Sequence, residues 1–470
     1  MSEHSKIYSE LMGMFKEYID IFDSLYKLDS NEKIHDLYQK IVINLIDPKI
    51  LSALQLLDII DYIMTYRMGY LRQYWTLFKM IFDNFQPQPF FTNNYIVNYF
   101  MYKEYGIIPT IFKKEIEELK TRNFSLDVHE KNTLYRSIME DDIEAFIGFT
   151  EKEDFDAQQK YPCRYFWCLS DSSFLELCCY FGSVQCFKLL RTKFKSEITH
   201  KCLLYSFLSG KPDIMSECLK VIKPDSECMY YAIFSHNIDF ITFLMNEFNI
   251  KVDLGMCVAY NNIQAFFVYL DQTGDINTCL TYSPKFNSLT LVKYLINNGG
   301  DVPATNSCYM TALGNAVSIN SLEISELLIK HGADVNSKNQ YGIPILHYCD
   351  DSIEMLNLFI NSDANLDIRD EDGNSVLHFL CTRFSLELIE VLIANGVDID
   401  ARSNCGNTPL ISAASCNEME TAKILINLGA DINAANDENY TALDYARQCN
   451  NKEFEEFLIS HGGKSFHTPE

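Results

Sequence analysis

A period of 33 residues in the C-terminal part of the chain constrains its fold more than any other feature. A turn of the Gly-Ala-Asp type begins at positions 299, 332, 363, 396, 429 and 462, so the steps are 33, 31, 33, 33 and 33. A second marker, a helix start typified by 408–410 (Thr-Pro-Leu), recurs at positions 311, 344, 375, 408 and 441. Two markers with one period indicate a tandem array of equal units rather than a single compact core.

Each residue type in the repeating unit has a physical reason for its place. Thr408 can cap a helix, and Pro409 suits the first helical position because it needs no N–H partner. Gly429 is expected to end a second helix in the left-handed conformation, after which Asp431 and Asn433 can bond to nearby backbone. The unit is therefore predicted to be two antiparallel helices followed by a hairpin. The first helices are expected to begin near Thr311, Pro344, Ser375, Thr408 and Thr441.

These markers resemble the ankyrin repeat. The resemblance implies an all-α fold, a solenoid of helix-turn-helix pairs with short β-hairpin turns. The unit at 341–367 departs from the pattern, since it is two residues short between its helices and Asp363 stands where a Gly usually ends the second helix. We expect a locally tightened helix pair there.

Upstream the pattern decays into shorter steps of about 26 to 28 residues, which leave room for two helices but little hairpin. About eleven helix pairs are expected along the chain, five of them clear. Before residue 125 the apolar positions follow helical spacing instead, as in Ile7, Leu11 and Met14. The sequence predicts a helical N-terminal domain at 1–125, degenerate ankyrin-like pairs at 126–305, regular ankyrin repeats at 306–464 and a polar tail at 465–470.

Nearly the whole chain also resembles a large group of ankyrin proteins from parasitic protists such as trichomonads. The residues that carry this resemblance are 141–147 (Asp-Asp-Ile-Glu-Ala-Phe-Ile), 175–183 and 186–188. Those proteins join a helical N-terminal domain of unknown function, rich in Tyr and Phe, to degenerate and then regular repeats. The resemblance implies the same order here.

The charge of the chain bears on its partners. The formal net charge is −25, which disfavours nucleic acid and anionic membrane surfaces because both require a basic face. The acidity serves either to keep a long solenoid soluble or to attract a basic partner. The most apolar stretch, 41–66, is interrupted by Asp47, Pro48, Asp58 and Asp61, so membrane insertion is not expected. We expect a cytoplasmic location, with the nucleus as the alternative.

Motifs for catalysis or cofactor binding are not found in the sequence. It has no Gly-rich phosphate loop, no dinucleotide fingerprint and no Gly-x-Ser-x-Gly elbow. His347 and His378 occupy the His position of the ankyrin helix, where the resemblance implies a bond to the backbone of the adjacent repeat. We expect no enzyme activity and no cofactor.

Metal binding is not expected either. Cys163 and Cys168, with His200 and Cys202 further along, lack the tight Cys-x-x-Cys pairs of zinc sites. Most cysteines lie among apolar neighbours and are expected to be reduced, small hydrophobic residues without disulfides. The acidic cluster 151–156, which includes Asp154, lacks the Gly and the spacing of a calcium loop and is expected to be a solvated loop.

The resemblance to ankyrin proteins implies that a partner protein binds the concave face built from hairpin tips and first helices. Aromatic and Arg residues are the usual anchors of such interfaces. The candidate protein-binding residues are Lys338, Tyr341, Tyr348, Arg369, Asp370, Phe379, Arg402, Asn404 and Tyr445. They are expected to be dispensable for folding, and each of them has the alternative interpretation of ordinary repeat surface. The predicted function is a non-enzymatic interaction scaffold. The alternatives are a substrate-recruiting adaptor of a ubiquitin-ligase-like complex, with 1–125 as the docking module, and an enzyme hidden in 1–125.

Overall fold

The computed structural model describes residues 3–87, 92, 94–107, 113–121, 124–153, 155–161, 169–349, 352–383 and 385–466, and the side chains from residue 7 onward within these ranges. Cys163, Cys168 and Asp154, named above, lie outside the described residues. The chain forms two compact units, Met1–Gly274 and Asp275–Glu470, which we call unit 1 and unit 2. None of the helices in the described ranges combines the length and the hydrophobicity that a bilayer crossing requires.

The fold of the described residues is all-α, as the sequence predicts. Unit 1 begins with seven helices that precede the helix pairs. They are α1 (Glu3–Met14), α2 (Lys16–Tyr26), α3 (Ile34–Ile41), α4 (Ala53–Tyr66), α5 (Leu71–Phe85), α6 (Tyr95–Tyr105) and α7 (Lys113–Thr121). Short 3-10 turns at Asn31–Lys33 and Met68–Tyr70 and a π-turn at Val42–Ile46 join some of them.

Helix pairs make up the rest of unit 1. They are α8 (Leu134–Met139) with α9 (Ile143–Thr150), α10 (Phe174–Phe181) with α11 (Val184–Lys193), α12 (His200–Ser209) with α13 (Pro212–Leu219), α14 (Ser226–Phe234) with α15 (Ile238–Phe248), and α16 (Leu254–Ala259) with α17 (Ile263–Thr273).

The helices of 1–125 pack against these pairs within unit 1. Asp23 of α2 lies 3.1 Å from Nδ1 of His236, whose Nε2 lies 2.9 Å from the carbonyl oxygen of Tyr260. The ring of Tyr26 stacks on His236 at 4.1 Å. Burial alone would raise the pKa of Asp23, but His236 and Lys27 outweigh it and lower the pKa. The N-terminal helices and the helix pairs therefore share one core.

An aromatic row extends this core. Phe234 at the end of α14 is 3% exposed. Its ring lies 5.2 Å from that of Tyr26, 4.9 Å from that of Tyr66 and 5.2 Å from that of Tyr260. The hydroxyl of Tyr180 in α10 donates to the carbonyl oxygen of Tyr66 at 2.8 Å. Aromatic contacts from α2 and α4 thus cover the ends of the first helices of several pairs.

Unit 2 continues with helix pairs. They are α18 (Ile276–Tyr282) with α19 (Leu289–Asn297), α20 (Ala312–Ser318) with α21 (Leu322–Lys330), a 3-10 turn (Ile345–Tyr348) with α22 (Ile353–Asn361), α23 (Val376–Leu380) with α24 (Leu386–Ala394), α25 (Pro409–Ser415) with α26 (Met419–Asn427), and α27 (Ala442–Gln448) with α28 (Lys452–Ser460). A further 3-10 turn, Ser283–Phe286, follows α18.

The five expected helix starts are confirmed. The N-cap residues are Thr311, Pro344, Ser375, Thr408 and Thr441. The side chain of Thr311 accepts from the N–H of Gly314 at 3.1 Å, which satisfies one of the unpaired donors of the first turn. Gly429 has φ +100°, as expected for a helix end.

The short unit is tightened as predicted. Its first helix is a single 3-10 turn at Ile345–Tyr348. Asp363 takes the left-handed conformation with φ +55°, which a Gly adopts in the neighbouring repeats. A 3-10 helix has fewer residues per turn than an α-helix, so the repeat can form with two residues fewer than its neighbours.

Candidate protein-interaction surface

The hairpin tips of unit 2 share one backbone design. Isolated antiparallel bridges close the hairpins between Thr305 and Thr311, Lys338 and Pro344, Arg369 and Ser375, and Ala435 and Thr441. At the position two before each helix cap the backbone is left-handed. Gly occupies it in three repeats, at 342, 373 and 406, with φ between +65° and +76°. A Cβ at Gly373 would collide with the side chain of Asn404 in the next tip, so the tips pack closely.

Side chains at the base of each tip hold its turn. Oδ1 of Asn339 accepts from the N–H of Tyr341 at 2.8 Å, and Oδ1 of Asn436 accepts from the N–H of Glu438 at 3.1 Å. Asp370 occupies the equivalent position and accepts from the N–H of Asn374 at 2.8 Å. The predicted binding residue Asp370 therefore also fixes its own hairpin.

Three of the predicted binding residues form a ladder between consecutive hairpins. Nζ of Lys338 donates to the carbonyl oxygen of Arg369 at 2.7 Å, Nη1 of Arg369 donates to that of Arg402 at 2.7 Å, and Nη1 of Arg402 donates to that of Ala435 at 2.9 Å. Each side chain thus reaches the equivalent residue of the next repeat. We call Lys338, Arg369 and Arg402 the basic ladder. These bonds indicate a contribution to stability, and whether the three residues are dispensable for folding stays a prediction.

Backbone and amide bonds reinforce the ladder. The N–H of Asn404 donates to the carbonyl oxygen of Asp372 at 2.8 Å, and its Nδ2 donates to that of Glu371 at 2.7 Å. The N–H of Asp437 donates to the carbonyl oxygen of Cys405 at 3.1 Å. Asn404, also a predicted binding residue, therefore joins two tips.

The predicted first-helix aromatics are half-buried. The hydroxyls of Tyr348 and Tyr445 accept from Nδ2 of Asn339 at 2.7 Å and of Asn436 at 3.3 Å. The ring of Phe379 lies 5.1 Å from that of His347. Each ring is half-buried, so part of its surface is left for contact with a partner.

Two tyrosines project from consecutive tips. Tyr341 is 65% exposed and Tyr309 is 63% exposed. Tyr341 is among the predicted binding residues, whereas Tyr309 is not. The signal that could have found Tyr309 is its position, because it stands where three other repeats have a Gly. Its φ is +55°, a conformation that a bulky residue adopts at a cost.

The two histidines of the repeat differ in their bonding. Nε2 of His378 lies 3.0 Å from the carbonyl oxygen of Asn407 in the next repeat, which confirms the predicted bond. Within the described residues, neither ring nitrogen of His347 makes a hydrogen bond of normal geometry. The backbone of Ile368 in the next repeat still acts to raise the pKa of His347, but its effect is smaller than that of burial. His347, whose helix is shortened to a 3-10 turn, therefore approaches the backbone of the next repeat without the well-aligned bond that His378 makes. Burial lowers the pKa of His347 to about 4.

Comparison with protein families identifies the repeats. A model described as ankyrin repeats (3 copies) matches residues 254–339, 280–370, 345–436 and 377–468, and a domain of unknown function, DUF3447, matches residues 194–269. Comparison with curated proteins gives no significant match.

Two solved structures are similar to part of the chain. An ankyrin repeat domain from Acinetobacter baumannii AYE is 26% identical, with 39% of this chain and 98% of that chain covered and a TM-score of 0.36. The ankyrin repeat domain of Bcl-3, a unique member of the IkappaB protein family, is 26% identical, with 39% and 86% covered and a TM-score of 0.37. From the family match and the observed helix pairs and hairpins, residues 254–468 of this chain are ankyrin repeats, a protein–protein interaction module.

Proposed function

We propose that the chain is a non-enzymatic scaffold that binds a partner protein through the tips and first helices of unit 2. The observation that carries this proposal is the pair of exposed tyrosines, Tyr309 and Tyr341, on consecutive tips. Tyrosine is enriched among the residues that dominate interface energies, because it offers a large rigid surface and a hydroxyl.

The rest of the predicted set supports these two anchors. The basic ladder, Asp370 and Asn404 make the bonds within and between tips, so the tips are ordered before a partner arrives. Preorganisation of this kind lowers the entropy lost on binding. Tyr348, Phe379 and Tyr445 then supply half-buried rings against which a partner side chain can pack.

The strain at Tyr309 agrees with a binding role. The left-handed conformation costs a non-Gly residue about 1–2 kcal/mol, and such outliers are concentrated at functional sites. A Gly at this position would relieve the cost but would remove the exposed ring. A contact between the ring and a partner would offset this cost.

The proposal also covers where the protein is located in the cell and which ankyrin proteins it resembles. We propose a location in the cytoplasm or the nucleus, and a place among the ankyrin proteins of parasitic protists that the sequence resembles. The net charge of −25 would steer a basic partner toward the chain and would repel nucleic acid.

Photo-crosslinking in the native cell tests the proposal. A photoreactive phenylalanine analogue at position 341 should capture a specific protein, and the same analogue at position 459 should not. Ile459 is a matched control because it is 49% exposed in unit 2 but lies on helix α28. Tyr341→Ala should then weaken binding of the captured protein about tenfold or more, since anchors contribute about 2 kcal/mol. Equal capture at both positions, or unchanged affinity, would refute the proposal.

The ubiquitin-ligase adaptor remains the alternative. It requires an exposed docking surface on 1–125, and Ile43, which is 61% exposed, offers a position from which to probe it. Capture of ligase subunits through position 43 would favour this alternative.

A further inference from the structure

Two helix starts in unit 1 bring three metal-binding side chains together. Within the described ranges, the ligand atoms of His200, Asp225 and Cys228 all lie within 4.8 Å of one another. His200 begins α12, and the other two residues lie at the start of α14 in the next helix pair. They are 25 and 28 positions from His200 in the sequence, which no linear zinc motif would connect.

Local structure sets the orientation of Asp225. Its Oδ1 caps α14, since it accepts from the N–H groups of Glu227 at 3.0 Å and Cys228 at 3.3 Å. The second oxygen, Oδ2, lies 3.0 Å from Nε2 of His200. The cap therefore holds a carboxylate oxygen beside the imidazole, and the buried Cys228 lies in the first turn of the same helix.

Nε2 of His200 is a buried nitrogen without a hydrogen bond. It lies 3.0 Å from Oδ2 of Asp225, yet the two atoms are not aligned as donor and acceptor. An ordinary His–Asp pair would direct the N–H at the oxygen. The buried nitrogen therefore lies beside a carboxylate oxygen without a hydrogen bond to it, and it is free to bind an ion.

The other ring nitrogen supports the same interpretation. Nδ1 of His200 lies 3.9 Å from Oε2 of Glu227. A metal-bound imidazole usually presents its second N–H to a carboxylate, which orients the ring and increases its basicity. Glu227 is in place for that role after a small side-chain movement.

We propose that His200 Nε2, Asp225 Oδ2 and Cys228 Sγ bind one divalent transition-metal ion of the zinc class, with a fourth position open to water. Zinc accepts nitrogen, oxygen and sulfur ligands in a tetrahedron, and bonds of about 2.0–2.3 Å place the ligand atoms about 3.5 Å apart. The nitrogen and oxygen atoms lie 3.0 Å apart and all three ligand atoms lie within 4.8 Å of one another, so side-chain rotation can bring them to this spacing. The thiolate disfavours calcium and magnesium, which prefer oxygen.

An ion at this position would join two consecutive helix pairs, α12–α13 and α14–α15. The site belongs to unit 1, whereas the proposed protein-binding surface belongs to unit 2. Binding to the folded chain alone raises the melting temperature in proportion to the logarithm of the metal concentration.

Cobalt(II) titration of the metal-free full chain tests the proposal. One ion should bind with a thiolate-to-cobalt charge-transfer band, and Cys228→Ser should abolish the band. Cys257→Ser is a matched control, because Cys257 is equally buried and follows the capping residue Asp253 in the next pair. His200→Gln should weaken cobalt affinity about tenfold or more.

The outcomes are decisive even if the cysteine variant fails to fold. Asp225→Asn keeps the capping oxygen but removes the charge, so it should fold and should bind cobalt at least about tenfold more weakly. Absence of a charge-transfer band in the wild type, its survival in folded Cys228→Ser, or its loss in Cys257→Ser instead would overturn the assignment. Unchanged affinity in Asp225→Asn would do the same.

Discussion

The helix pairs of unit 1 and the repeats of unit 2 are stabilised in different ways. Unit 2 closes its hairpins with bridges and joins consecutive hairpins through backbone bonds and the basic ladder. Among the described residues of unit 1, the pairs carry a single such bridge, between Lys160 and Ser173. Their first-helix ends instead pack against aromatic rings from α2 and α4, as Phe234 does.

This difference follows from repeat length. Steps of about 26 to 28 residues leave room for two helices but little hairpin. Without hairpins the pairs lack the bonds between tips that unit 2 has. Side chains still join some neighbouring pairs, since Nδ2 of Asn262 donates to the carbonyl oxygen of Ile233 at 2.8 Å, and helices from another part of the chain add apolar contacts. Repeat shortening is thus tolerated where a second segment covers the exposed helix ends.

The largest effect is expected for Phe234→Ala. Loss of a buried Phe ring leaves a cavity and should cost unit 1 about 3–5 kcal/mol. Because this ring joins α14 to α2 and α4, amide hydrogen exchange should accelerate in residues 16–66 as well as in α14. Phe243→Ala, at a half-buried position in the same pair, is the control and should affect its own pair only. Unchanged exchange in 16–66 would show that the N-terminal helices do not depend on this contact.

Acid should weaken unit 2 through His347. Its folded pKa of about 4 lies below the ordinary value of 6.5, so the unfolded chain binds the proton first as the pH falls. The free energy of unfolding should decrease by about 3 kcal/mol between pH 6.5 and pH 4, at about 1.4 kcal/mol per pKa unit. His347→Leu should flatten this dependence, as measured by denaturant titration with hydrogen exchange resolved for unit 2.

Ile345→Val is the control for this pH experiment. It removes one methyl group from the same turn, so it should lower stability by about 0.5–1.5 kcal/mol at every pH. An equal pH slope in His347→Leu and wild type would contradict the role assigned to His347.

The basic ladder should show a smaller effect. Arg369→Ala removes donors to two carbonyl oxygens, of Gly373 at 2.8 Å and Arg402 at 2.7 Å. We expect a loss of about 2 kcal/mol, since hydrogen bonds from charged groups contribute about 1.5–3 kcal/mol and Arg369 is partly exposed. The exposed Lys330 is the control, and Lys330→Ala should change the free energy of unfolding by about 0.5 kcal/mol or less. An Arg369→Ala effect as small as the control would restore the view that the ladder is ordinary surface.

The smallest expected effect is an increase in stability. Tyr309→Gly should raise the free energy of unfolding of unit 2 by about 1 kcal/mol, because Gly adopts φ +55° without strain. The same change should weaken partner binding. Tyr341→Ala, on the next tip, should leave stability within about 0.5 kcal/mol. A loss of stability in Tyr309→Gly would mean that the ring packs against its own hairpin.

Local features of unit 2 could be predicted from the sequence because they depend on near neighbours. The caps at Thr311 and Thr408 and the tightened turn after Pro344 follow from residue type and spacing. The basic ladder could not be predicted, since Arg369 has the sequence character of exposed surface and its acceptor lies one repeat away, at Arg402.

In unit 1, contacts between residues far apart in the sequence are even harder to predict. The apolar spacing of 1–125 predicts helices, but it does not indicate that Asp23 meets His236, 213 positions later. The proposed metal ligands illustrate it too. The sequence spacing of Cys163, Cys168, His200 and Cys202 gives no reason to expect a metal site, whereas the structure places His200 beside Asp225 and Cys228.

The basic ladder has a direction, since every rung runs from one repeat to the carbonyl oxygen of the next. It stops at Ala435, whose methyl group cannot donate. A tandem duplication of residues 370–402, which is 33 residues long, would insert one hairpin with its donor and its acceptor already in register. The array can therefore lengthen by whole repeats without any change in the bonds between them. The binding surface would gain one hairpin tip with each added repeat.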